Sequence, residues 1–352
     1  MTYPTIPDHI YASLADGVVI PAHPLALTPD REVDVKHQKA LTRYYLDAGA
    51  GGIAIGVHTT QFQVREAGLY KSLLQLTREV IDEHPRGADV IRVAGVVGPT
   101  HQAVYEAEIA RENGYHLALV SSGGLPDHSE SQLVERVREV AKIIPVFGFY
   151  LQPAVGGRRL SYSFWRQLAD IPNLYAIKIA PFDRYETINT VRAVLHADRW
   201  QEIALYTGND DNIIGDLLTT FRVFCSGQWR EKAIVGGLLG QWAVWTRRAV
   251  ELLERIRMVR GRSIPQDLME LAWQLTDANR AIFDADNDFR GCIPGIHQIL
   301  HEQGLLRGIW CLDPKETLSP GQLEEIARVR RDYPGLTDDE FVAEHLTDWL
   351  EG

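Results

Sequence analysis

The chain has 352 residues, 45% of them hydrophobic and 24% charged, with a formal charge of −11 from 36 basic and 47 acidic side chains. This is an ordinary globular composition, and an acidic balance with no Lys/Arg block argues against nucleic acid as a partner. No apolar run approaches the ~18–20 residues of a membrane span, the first residues lack the basic and apolar regions of a secretory signal, and Cys225, Cys292 and Cys311 make neither a disulfide framework nor a metal-ligand spacing. The expected location is the cytoplasm.

Short apolar runs recur at 17–23, 52–56, 92–97, 117–122, 145–150, 174–180, 203–208 and 233–239. Amphipathic stretches such as 33–48, 101–113 and 129–143 lie between them. Starts separated by roughly 25–40 residues fit a strand followed by a crossover helix. Eight such units in series predict an α/β fold of the (β/α)8 TIM barrel type. An open doubly wound sheet would want a glycine-rich phosphate loop between an early strand and its helix. The nearest match, Gly49-Ala50-Gly51-Gly52, precedes a strand instead. Residues 220–232 predict a small hairpin inserted before the last strand. Beyond Gly240 the pattern turns helical, at 242–259, 265–283, 296–303, 320–333 and 338–350. The expected organisation is therefore a barrel over 1–246 and a C-terminal helical region over 247–352 packed on it.

The most informative residue is Lys178, inside the run Leu174-Tyr175-Ala176-Ile177-Lys178-Ile179-Ala180. Apolar neighbours on both sides predict a strand buried on both faces. A buried ammonium tends to lose its proton, and a neutral amine in a pocket is a nucleophile for carbonyl compounds. The plain alternative is a strand-end lysine that reaches solvent. Barrel enzymes of this type work at the C-terminal ends of their strands. The polar residues expected there are His23, His58-Thr59-Thr60, Ser121-Ser122, Tyr150, Lys178 and Gly208-Asn209-Asp210-Asp211. The other lysines (Lys36, Lys39, Lys71, Lys142, Lys232, Lys315) fall in helical, turn or hairpin contexts where the ammonium is expected to stay hydrated.

At these residues the sequence resembles the dihydrodipicolinate synthase / N-acetylneuraminate lyase family of Schiff-base aldolases, from about residue 17 to 306. That family carries G-I-K-x-[AST] on its sixth strand, matched by Ala176-Ile177-Lys178-Ile179-Ala180. Its Y-N-x-P is matched by Tyr150-Leu151-Gln152-Pro153, with Leu151 in place of the asparagine. Its G-[TS]-T-G-E is loosely matched by Gly56-Val57-His58-Thr59-Thr60-Gln61, and its G-x-D-[DE] turn by Gly208-Asn209-Asp210-Asp211. Each motif is weak alone; together they stand in order on the right strands. The resemblance implies a lyase in which Lys178 forms an imine with a pyruvate-type 2-oxo acid and no other cofactor is needed. Tyr150 would shuttle protons. Thr59 and Thr60, with backbone amides around Gly56 and His58 beside them, would hold the 2-oxo acid carboxylate. Gly208, Asp210 and Asp211 would face the second half of the substrate, an aldehyde or sugar acid. Family members are usually homo-oligomers, dimers or tetramers.

Several departures argue against an authentic dihydrodipicolinate synthase. The arginine expected two residues beyond the proline of Y-N-x-P is Val155, although Gly156-Gly157 could let Arg158 swing back. A tyrosine pair expected after the fourth strand is Ser121-Ser122-Gly123-Gly124. Two rival readings remain at this level. His23, His58, Asp210 and Asp211 could compose a divalent-metal site, but their spacing supplies no motif and Lys178 would lack a role. A family member that binds without catalysing would carry an idle buried lysine at a net cost. His23 and His58, at the ends of the first two strands, are open to acid/base, substrate-binding or purely structural roles.

Overall fold

The computed structural model describes residues 3–352. Eight parallel strands with surrounding helices form a nearly closed barrel, a (β/α)8 TIM barrel followed by C-terminal helices. The strands are β1 (Val19–Pro21), β2 (Gly52–Ile55), β3 (Ile91–Val96), β4 (Leu117–Ser121), β5 (Val146–Leu151), β6 (Leu174–Ala180), β7 (Ala204–Thr207) and β9 (Gln228–Leu239), with β8 (Thr220–Cys225) the extra hairpin strand. Contacts group the chain into two compact units, residues up to Val18 with Ile91–Leu238, and Val19–Val90 with Leu239–Gly352. That grouping is not the linear 1–246 and 247–352 division, because the helical tail shares its unit with residues 19–90.

In the first unit β3, β4, β5, β6, β7 and β9 follow one another as parallel neighbours. β5 is buried at every position and β6 at all but Tyr175, as expected of parallel strands covered by helices. The crossover helices start at side-chain caps. Ser129 and Gln132 form a capping box at Glu130–Ala141, Ser161 accepts from Phe164 N, and Asp183 accepts from Tyr185 N and Glu186 N. The predicted hairpin is present. β8 pairs antiparallel with β9 through Ser226 and Gly227, both at positive φ (51° and 81°), the turn whose twist suits a two-residue hairpin. β9 is longer than the run 233–239 because one strand serves two ladders. Its first half pairs with β8, and Ile234, Gly236 and Gly237 pair with β7.

In the second unit the tail forms helices Thr246–Val259, Gln266–Ile282, Cys292–Glu302, Gln322–Asp332 and Asp339–Glu351. The last packs on helix Val35–Asp47, where the Tyr44 and Trp349 rings lie 5.4 Å apart and Trp349 Nε1 donates to Asp47 at 2.6 Å. Buried Asp338 accepts from Tyr44 Oη at 2.8 Å and Gln303 Nε2 at 2.9 Å. Among the described residues no helix is long and apolar enough to cross a membrane.

Candidate active site

Side chains alternate across a strand, so register decides which residues share a face. Ser121 stands opposite Phe149, Phe149 opposite Lys178, and Lys178 opposite Tyr206 on four adjacent parallel strands. The intervening positions face the helices. A Cβ on Gly148 would meet Leu168 of helix Tyr162–Ala169, and Thr207 donates to Asp216 of helix Ile213–Leu218 at 2.7 Å. The row containing Lys178 therefore faces the barrel interior. Lys178 is 8% exposed, and its Nζ lies 4.4 Å from the centre of the Phe149 ring. Burial pushes its amine down to about 8, with the negative charge of Asp210 opposing the fall.

The turn after β7 shapes the space around that amine. A Cβ on Gly208 would sit 2.6 Å from Lys178 Cε and 2.7 Å from Ala180 Cβ, so only glycine lets the lysine extend past this point. Asn209 is fully buried and pins the turn. Its Oδ1 accepts from Phe182 N at 3.0 Å, and its Nδ2 donates to Asp216 at 2.9 Å and to Thr187 at 3.2 Å. Asp210 is buried and its charge acts on Lys178, whereas Asp211 is exposed.

Tyr150 requires a correction. It stands opposite Ile179, on the helix-facing side, with its ring 5.2 Å from Trp165. Its hydroxyl donates to Glu186 Oε2 at 3.1 Å and accepts from Leu160 N at 3.3 Å. Burial, with Glu186 alongside, holds the phenol above its ordinary range. The cause lies in β6. Val146 pairs with Leu174 but Phe147 pairs with Ala176, so Tyr175 is an extra residue in the ladder. Such a bulge shifts register by one and exchanges the faces beyond it. Phe149, which sequence reasoning passed over, takes the place expected of Tyr150. Tyr206 shares the row of Lys178, but its hydroxyl is spent on Leu14 O at 2.9 Å and Val18 N at 3.2 Å.

A second correction concerns the other lysines. Lys232 is partly buried beside Trp200, donates to Trp200 O, and has its amine pushed down to about 8 by burial. Lys178 is therefore not alone in having a weakened ammonium. Arg158, the candidate to replace the missing arginine at Val155, donates from Nη1 to His128 O at 2.7 Å and Leu125 O at 3.2 Å, which anchors it to the loop after β4.

In the second unit His58, Thr59 and Thr60 form a single 3-10 turn after β2. Thr59 Oγ1 donates to Ala22 O at 2.7 Å and Thr60 Oγ1 to His23 O at 2.7 Å. Thr60 Oγ1 also accepts from Gly56 N at 3.0 Å and Val57 N at 3.3 Å. Both hydroxyls and two of the amides expected for a carboxylate thus bond to the protein itself, tying the turn to the end of β1. Arg65 brings a guanidinium to this turn that the motif comparison did not single out. Its Nη2 donates to Gly56 O at 3.0 Å and it lies over the Tyr70 ring at 4.7 Å. His58 lies beside Phe62, ring centroids 5.8 Å apart. His23 is a buried structural residue. Its nitrogens bond Thr42 Oγ1 at 2.9 Å and Pro24 O at 2.7 Å, and burial lowers its pKa to about 4. Among the described residues no group of three or more His, Cys, Asp or Glu is placed to hold a metal ion.

A model of the dihydrodipicolinate synthetase family matches residues 17–220. The chain belongs to that family. The matched span includes β1 to β7 and both elements that place Lys178 and Asp210. Among solved structures of family members, dihydrodipicolinate synthase from Oceanobacillus iheyensis is similar at 17% identity and a TM-score of 0.71, covering 92% of this chain and 99% of that one. The chloride-inhibited synthase from Acinetobacter baumannii, solved with pyruvate, is similar at 18% identity and a TM-score of 0.73, covering 90% and 99%. CdNal from Clostridium difficile, solved with mannosamine, is similar at 14% identity and a TM-score of 0.71, covering 90% and 99%. At these identities the likeness is one of fold. No curated protein matches the chain.

Proposed function

We propose that this family member is a class I lyase or aldolase that forms a Schiff base between Lys178 and a pyruvate-type 2-oxo acid. The observation that carries the reading is a buried lysine, facing the barrel interior, whose amine is freed of its proton more readily than a solvated one. Such an amine adds to a ketone, and the resulting imine is an electron sink for breaking or making the adjacent carbon–carbon or carbon–oxygen bond. The pyruvate held by the Acinetobacter baumannii relative supports the substrate class. The second substrate is an aldehyde or sugar acid, and Asp211, exposed on the turn after β7, is suited to accept hydrogen bonds from its hydroxyls. The covalent imine requires no cofactor.

Three further points belong to this reading. His58, Thr59 and Thr60 are proposed to bind the 2-oxo acid carboxylate, which would require the Thr60 hydroxyl to give up bonds it makes to the main chain. The protein is proposed to act as a cytoplasmic homo-oligomer. The exposed ring pair of Phe224 and Trp229 on the hairpin, centroids 5.5 Å apart, is the kind of apolar surface a second copy would cover. It is not proposed to be an authentic dihydrodipicolinate synthase, since Val155 offers no cation and Arg158 is anchored elsewhere.

The test is borohydride reduction in the presence of a panel of 2-oxo acids, followed by peptide mapping. An adduct on Lys178 that is absent from Lys178→Ala is the expected result. Labelling of Lys232 instead, or full activity in Lys178→Ala, would defeat the proposal.

A further inference from the structure

With Tyr150 on the far side of its strand, Schiff-base formation lacks the proton carrier that the motif comparison supplied. The chemistry still needs one. When an amine adds to a ketone, the carbonyl electron pair moves to oxygen. That oxygen can leave only as water, taking two protons. Starting from a neutral amine, the nitrogen supplies one of them and an acid must supply the other. The products are a cationic imine, one water and the conjugate base of that acid. The interior face near Lys178 presents Phe149, Ser121 and Ala180, none of them an acid in the ordinary pH range, and Tyr206 is bonded elsewhere.

We propose that Asp210 is the proton donor for dehydration of the Lys178 carbinolamine, and that its carboxylate then faces the cationic imine as counter-ion. Geometry supports the assignment. Gly208 abuts the lysine chain, Asn209 is locked outward by Thr187 and Asp216, and Asp210, next in the same turn, is 9% exposed and acts on Lys178 by its charge. Moving one proton from the ammonium to the carboxylate turns the ion pair into an amine and an acid with no change of net charge. The second form carries both the nucleophile and the acid the step consumes. The Phe149 ring, 4.4 Å from Nζ, favours the cationic product. This assignment rests on the Schiff-base reading above, and a distinct outcome separates the two.

The experiment compares initial rates of borohydride-trapped adduct formation with pyruvate in the wild type, Asp210→Asn and Asp210→Gly at pH 7. If Asp210 only held the ammonium by charge, its loss would free more amine and speed addition. As the proton donor, its loss slows adduct formation by about 100-fold or more, the usual worth of a positioned acid. Added formate should restore part of the rate in Asp210→Gly, where it can occupy the vacated space, and not in Asp210→Asn. Wild-type or faster rates in Asp210→Asn, or no formate response in a folded Asp210→Gly, overturn the assignment and leave the Schiff-base reading standing. A wild-type protein that forms no adduct with any 2-oxo acid removes both.

Discussion

Lys178 holds its amine 4.4 Å from the centre of the Phe149 ring, and the two residues are direct neighbours across β5 and β6. An aromatic ring cannot carry a proton, but its face attracts a cation. The attraction is worth roughly 0.5–2 kcal/mol, depending on how dry the contact is. Phe149 and Asp210 therefore act on the same charge, one through its ring and the other through its carboxylate.

Replacing the ring tests the first of these. Phe149→Leu keeps an apolar side chain and removes the π face, so above pH 8, where the reactant is neutral amine, the trapped imine at equilibrium should fall about 2- to 30-fold at fixed pyruvate, the fold-change equivalent of that range. Mass spectrometry of the reduced adduct reads it. An unchanged adduct level would reduce Phe149 to packing.

The rate of adduct formation should be level across neutral pH and fall as pH rises through about 8, where Lys178 and Asp210 together lose the one proton the step consumes. Stability carries the same group with a defined sign. The folded pKa lies below the unfolded one, so between about 8 and 10.5 the unfolded chain binds more protons and stability rises with pH. The penalty is fully present below 8 and gone above 10.5. Lys178→Met should therefore stabilise the protein at pH 7, on the order of 1–3 kcal/mol, and lose that advantage above pH 10.5. Urea unfolding at the two pH values checks this.

Tyr150→Phe should leave the rate of adduct formation within about threefold of wild type, since its hydroxyl serves Glu186 and Leu160 N on the helix side. The loss should appear in stability instead, at roughly 1–2 kcal/mol for a buried hydrogen-bonded group. A fall of two orders of magnitude in rate with stability intact would restore the catalytic role that the motif implied.

Gly208→Ala places a methyl 2.6 Å from Lys178 Cε and 2.7 Å from Ala180 Cβ. The lysine chain must turn aside, and a nucleophile displaced by an ångström typically loses about 100-fold in rate. Trapping kinetics in a protein with native circular dichroism would show it; wild-type kinetics would mean the turn yields instead.

Aspartate semialdehyde should not be the best partner for pyruvate. Its carboxylate wants a cation, and a charge-assisted bond to arginine contributes about 1.5–3 kcal/mol. Val155 supplies none, and Arg158 is bonded to Leu125 O and His128 O. In a panel with neutral polyol and aromatic aldehydes, the highest kcat/KM for the semialdehyde would overturn this expectation.

The order of strands, the helical tail, the inserted hairpin and the buried lysine were all legible in the sequence. Each depends on local composition: apolar runs at strand length, amphipathic runs between them, a turn pair at Ser226-Gly227, and one cation among apolar neighbours. The pairing of side chains across strands was not legible. A count of residues from Tyr150 to Lys178 puts the two opposite each other, and the pairing of Val146 with Leu174 begins in that register. One extra residue, Tyr175, then moves Tyr150 to the helices and brings Phe149 to the amine. Nothing in the composition of β6 marks that bulge, because a buried parallel strand is apolar on both faces and carries no alternation from which register could be read. The same limit applies to Thr59 and Thr60, whose hydroxyl partners Ala22 O and His23 O lie far back along the chain. Which residues are present, and in what order along the barrel, follows from the sequence; which of them share a face depends on the backbone ladder, and only the folded chain sets that.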